Sequence, residues 1–202
     1  MNHYKKSYNR WPVFIVGAIE GLIVILAMFC FLLAKGLSNN QLFLYCGIAV
    51  AFASALLGLG AYYTRKEELN NSKGESKILK IYQALDIDSN LKEAMVKDTL
   101  EENKVWENKW KDDNNATSSL SPKQYALAMF GGFLAGGAAI LTNNYFIKMP
   151  NYAALFFPFI LLGFLGFYKY KHSGKKPANG MLIIALSGIA AAVAAYYAGG
   201  LF

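Results

Sequence analysis

Glu20 lies inside "GAIEGLIVILAMF", within a run from Trp11 to Ala34 whose only other ionisable side chain is the thiol of Cys30. That run is long enough to cross the roughly 30 Å hydrocarbon core of a bilayer as a helix. A charge at the centre of such a helix costs at least about 2.5 to 3.5 kcal/mol, so intramembrane acids usually face a protein interior or a polar path. A carboxylate at that depth can take up a proton, or offer oxygen to a divalent cation that has shed its water. Fe2+ and Mn2+ accept such oxygen ligands, and the thioether of Met28, two turns further along near the same face, favours iron over calcium or magnesium. Met28 also fits plain packing, as do Cys30 and Cys46, which behave as small apolar residues when buried and carry no disulfide pattern.

These residues need apolar helices to hold them. Of the 202 residues, 55% are hydrophobic and 16% charged, and the apolar ones are gathered in blocks. The blocks are Trp11 to Ala34, Leu42 to Tyr63, Tyr125 to Phe146, Tyr152 to Tyr168 and Met181 to Phe202. All are of helix length, about twice that of a barrel strand. The expected fold is therefore an all-α integral membrane protein with five transmembrane helices and a cytoplasmic helical hairpin between helices 2 and 3. Residues 1–63 hold the N-terminal segment and helices 1 and 2, residues 64–123 the cytoplasmic part, and residues 124–202 helices 3 to 5. The first block is too long for a signal peptide and lacks a small-x-small cleavage site after it.

The formal net charge of +7 does not call for nucleic acid. Three basic residues precede the first block, eleven lie in the middle segment and four between the last two blocks, leaving one each at Lys35 and Lys148. This alternation is the positive-inside pattern of five spans with the N-terminus inside and the C-terminus outside. Orientation and contact with anionic membrane lipid account for the basic charge.

Twelve of the thirteen acidic residues lie between Thr64 and Lys123, and Glu20 is the thirteenth. Charges begin directly after Tyr63, so the second span is expected to run on into the cytoplasm as a helix. Ile78, Ile81, Tyr82 and Leu85 keep helical spacing, and Asn90 with Glu93 resembles a capping box opening another helix toward Trp106 and Trp110. Within the spans, Gly17 and Gly21, Ser54 and Gly58, Gly132 and Gly136, and Gly188 and Ala192 have the small-x-x-x-small spacing that lets helices approach closely. One Glu20 per chain holds a divalent ion poorly. A homodimer meeting at Gly17 and Gly21 would supply two, and two close carboxylates would exchange protons for metal.

No EF-hand, zinc, phosphate-loop or nucleophile-elbow spacing occurs, and His3 and His172 are isolated, so an enzyme is not expected. The order of parts resembles the vacuolar iron transporter family. "GAIEGLIVILAMF" is similar to its first-helix Asp-Gly motif, with Glu20 and Gly21 standing for it, and "ASALLGLGAYYTRKEE" to the end of its second helix, with Gly60 and Tyr62 kept. "ILKIYQALDIDSNLKEAMVKD", "GGFLAGGAAIL" and "GIAAAVAAYYAGGLF" are similar to its cytoplasmic stretch and its third and fifth helices. Leu57 and Ala61 stand where the family has Met and Glu.

The resemblance implies a dimeric transporter that moves Fe2+, and also Mn2+, out of the cytoplasm in exchange for protons. Its path would include Glu20, Gly21 and Met28, its metal ligands Glu20 with the cytoplasmic Glu67, Glu68 and Glu75, and no cofactor would be permanently bound. A bacterial cytoplasmic membrane is the expected location. The second reading is a non-transporting membrane scaffold or regulator that retains the fold.

Overall fold

A computed structural model describes the backbone over residues 10–84, 120–146 and 156–201, and side chains over residues 10–70, 120–142 and 156–201. Five helices result: α1 Trp11–Ala34, α2 Asn39–Ala84, α3 Pro122–Phe146, α4 Phe156–His172 and α5 Pro177–Leu201. Among the described residues four are long and apolar enough to cross a membrane: α1, the Asn39–Asn70 part of α2, the Pro122–Thr142 part of α3, and α5. The expected span Tyr152 to Tyr168 is described only from Phe156, as the 17-residue α4. The described residues are all-helical, with the apolar helices of an integral membrane protein. Glu93, Trp106, Trp110 and the helix expected near Asn90 lie outside the described residues.

Helix ends follow local chemistry. The turn after α1 uses Gly36 at φ +70, with its N–H donating to Leu33 O at 3.0 Å. A left-handed residue at this place is the usual helix stop, and glycine takes it without a Cβ clash. Ser38 then opens α2 with Gln41 as a capping box: the Gln41 Oε1 accepts from the Ser38 N–H at 3.1 Å and from its Oγ at 3.0 Å. Ser121 caps α3, its Oγ accepting from the Gln124 N–H at 3.4 Å, and Pro122 follows at the first helical position. The second expected span continues without a break to Ala84, so the Ile78 and Ile81 stretch belongs to α2 and is not a separate helix.

Sequence neighbours are not all spatial neighbours. α3 runs beside α1 and separates much of it from α2, α5 lies against another side of α1, and α4 pairs with α5. The α1–α3 seam is made by glycines on both sides. A Cβ at Gly17 would sit 2.5 Å from Met129 O and 3.0 Å from Phe133 N, while one at Gly21 would run into the Phe133 backbone. Conversely, Gly132 faces the backbone of Phe14 and Ala18, and Gly136 that of Ala18 and Leu22. The matched order along both helices makes α1 and α3 parallel, as expected of two spans joined through the single crossing of α2. Without water to drive association, this close backbone contact is what holds helices together in lipid.

α2 meets α3 through a narrow stripe at four-residue spacing: Leu42, Cys46, Val50, Ser54 and Gly58 are all buried. Gly58 receives Phe130, and Val50 fills the space beside Gly137. The fully buried Ser54 donates its hydroxyl to Ala51 O at 3.0 Å, so no polar atom is left unpaired there. On the other side, Gly188 faces Leu162 of α4 and Ile23 of α1, and Gly199 faces Phe31 and Ala34. The central cluster joins Leu22, Ile25, Leu26, Leu42, Cys46, Phe133 and Leu162 from four helices.

Gly136→Leu is expected to destabilise the bundle by at least about 2 kcal/mol, because the clash is with backbone that cannot move aside. Gly60→Leu, which meets no atom within 4 Å at its Cβ, is the matched control. Thermal unfolding in detergent would measure both, and equal midpoints would refute the seam as the main constraint.

Candidate functional site

α1 carries Glu20 nine residues from its first residue, about 14 Å along the axis, close to half the thickness of a hydrocarbon core. The helical phase decides what it faces. Gly17 and Gly21 are turned to α3, and Glu20 is about 60° round from Gly17 and about 40° from Val24. Val24, 48% exposed and the open position of α1 beyond its first residue, lies between Glu20 and Gly17 in phase but about 10 Å further along the helix than Gly17. Its side chain is half-buried. It forms no hydrogen bond or ion pair with the described residues, though it lies within electrostatic reach of Tyr125 on α3.

The Gly17 and Gly21 pair is filled by α3 of the same chain. Two copies of Glu20 therefore cannot meet across these two glycines. Met28, about 12 Å further along α1, is half-buried and packs against the central apolar cluster. It is about 80° round the helix from Glu20, and the two do not form one pocket. Cys30 and Cys46 are buried free thiols in that cluster. Cys30 also borders an open apolar groove of about 330 Å³ between α1, α4 and α5, lined by Phe159, Tyr196 and Tyr197.

Glu67 and Glu68 lie on the charged continuation of α2, both exposed. Glu75 is in the same helix, its side chain outside the described residues. No group of three or more His, Cys, Asp or Glu side chains is close enough to hold a metal ion among the described residues. Glu20 and the α2 acids are thus separate in depth. α1 residues near Glu20 are level with Phe133, whereas Glu68 is beside the start of α3, about 18 Å lower along the bundle.

The sequence reading missed a polar junction between these levels. Arg65, 12% exposed at its side chain, pairs with Glu68 Oε2 at 2.7 Å. Its Nε donates to Leu120 O at 3.4 Å, and its guanidinium is 5.9 Å from the Tyr125 ring centroid. Leu120 is itself buried with Val13 and Ala128, which pins the entry to α3 between α1 and α2. Tyr125 feels the charges of Glu68, Arg65 and Glu20 together. The signal was present: Arg65 is the first charge after the second apolar block, and Tyr125 the first residue of the third. Only the return of the chain 55 residues later joins them.

Arg65→Gln should loosen this junction by about 1 to 2 kcal/mol, the cost of losing charge-assisted hydrogen bonds at a half-buried site. Faster hydrogen exchange at Leu120 to Gln124, with α5 unaffected, is the expected reading; unchanged exchange would show that Leu120 packing alone holds the entry.

No curated protein matches the chain. A family model described as the VIT family matches residues 12–200, from the second residue of α1 to the last turn of α5.

Proposed function

The chain belongs to the VIT family, the vacuolar iron transporters, and from that premise we propose that it carries Fe2+ or Mn2+ out of the cytoplasm in exchange for protons. Members of this family transport metal ions and are not enzymes. The observation that carries the reading is Glu20: a half-buried carboxylate near mid-membrane depth, without a hydrogen-bonding or ionic partner among the described residues. An acid left in that state gains most from a mobile positive charge, either a proton or a metal ion.

In a homodimer that meets on the Val24 face, two Glu20 carboxylates offer oxygen to one divalent ion. With the ion gone, their mutual repulsion raises the affinity of at least one for a proton. Metal entry then releases a proton and metal exit takes one up, which is the exchange that antiport needs. Glu67, exposed and unpaired among the described residues, with Glu68 and Glu75, collects cations at the cytoplasmic end. Gly21 lets α1 lie close to α3 beside the path, and Met28 supplies a soft ligand further out. No permanently bound cofactor is required. The N-terminus and the α4–α5 turn lie inside a bacterial cytoplasmic membrane, as the basic residues arrange.

The alternative is a non-transporting scaffold or regulator. Leu57 and Ala61 favour it, since these apolar side chains on α2 supply no ligand where the family has Met and Glu. Flux decides between the two. In proteoliposomes with an imposed pH gradient, native protein should accumulate Fe2+ or Mn2+, Glu20→Gln should lose at least about tenfold in rate, and Glu20→Asp should keep most of it. A folded native chain without flux for either ion would leave the scaffold reading.

Orientation has its own test. A membrane-impermeant maleimide added to intact cells should label Ser38→Cys and leave Ser173→Cys unlabelled. The opposite pattern would reverse the proposed direction of transport.

A further inference from the structure

The turn between α4 and α5 holds four lysines, Lys169, Lys171, Lys175 and Lys176, with His172 among them. All but the half-buried Lys169 are exposed. The turn is built, not loose. Gly174 takes φ +68, the Lys175 N–H donates to Tyr170 O at 3.0 Å, and the Tyr170 ring covers Gly180, where α4 and α5 touch. The close approach of the two helices at Gly166, Tyr170 and Gly180 fixes the turn that carries the lysines.

Helix dipoles account for half of this charge. Lys169 and Lys171 are in the last turn of α4, where cations are favoured. Lys175 and Lys176 precede the first turn of α5, where the dipole already presents positive charge and further cations are unfavourable. They and the helix start would together attract an anion. Among the described residues none is supplied: no Asp or Glu follows Asp113 in the sequence, and none of the four lysines pairs with a described residue. The turn joins the ends of two membrane helices, with Tyr168 and Tyr170 beside it, which is the depth of lipid headgroups.

We propose that the α4–α5 turn is a binding surface for the phosphate headgroups of anionic phospholipid. The surface is independent of metal transport and depends only on this turn lying at the membrane interface. Its lysines act as a cluster near one leaflet, so binding falls off with salt and with each lysine removed.

The test uses the full chain reconstituted in nanodiscs of mixed phosphatidylcholine and phosphatidylglycerol, released into mild detergent, with retained lipid counted by native mass spectrometry. Native protein should retain phosphatidylglycerol preferentially, Lys175→Gln with Lys176→Gln should weaken that preference at least about fivefold, and replacing the same two by arginine should keep it. Equal preference in native and glutamine forms would overturn the proposal. So would full displacement by millimolar inorganic phosphate, which marks a free-anion site. If a preference emerges only after the acids between Asp86 and Asp113 are neutralised, the turn binds the chain's own acidic segment and the proposal is wrong. Should the double variant fail to fold, a salt titration of native protein decides, since a preference unaffected by salt is not headgroup electrostatics.

Discussion

The bundle depends on the contact of two backbones, α1 and α3, at four glycines. Lipid is as apolar as the side chains it meets, so burying leucine gives little reason for membrane helices to associate; close packing does. Gly17, Gly21, Gly132 and Gly136 let carbonyl and amide groups of the two helices approach to distances no Cβ would allow. Once α3 takes that face, α2 is left to pack on α3, and α5 and α4 occupy the other side of α1. α1 becomes the centre although it comes first in the chain.

The same contact orients Glu20. On a helix, a residue's direction follows from its phase relative to the faces already taken. With Gly17 and Gly21 turned to α3, the carboxylate is left half-buried, about 60° round from Gly17. That is a position where one chain cannot neutralise the charge from its own described residues, and where a proton, a metal ion or a second chain can. The match to the VIT family over residues 12–200 and the cost of an intramembrane charge are separate observations, one of the whole chain and one of a single residue.

At the membrane surface the charges do different work. Arg65 ties α2 to the entry of α3 through Leu120 O and holds Glu68, so a charged residue closes a structural junction. The lysines of the α4–α5 turn have no such partner among the described residues. Counted together in the sequence, all of these basic residues looked like a single orientation signal. In the structure one of them, Arg65, is a clamp at the entry to α3.

Much of this protein was determined by local chemistry in the sequence. Apolar blocks of helix length, Gly36 and Gly174 at helix stops, the Ser38 and Gln41 cap and the price of Glu20 in lipid can all be read without a fold, because each depends on residues a few places apart. The pairing of helices could not be. A small-x-x-x-small stripe fits any other such stripe, so Gly17 and Gly21 were equally suited to a second copy of α1 or to α3, and only the assembled bundle gave them to α3. The separation of Glu20 from Met28, Glu67 and Glu68, and the meeting of Arg65 with Leu120, were likewise decided by tertiary structure, since they depend on helix phase and on chain segments far apart in sequence.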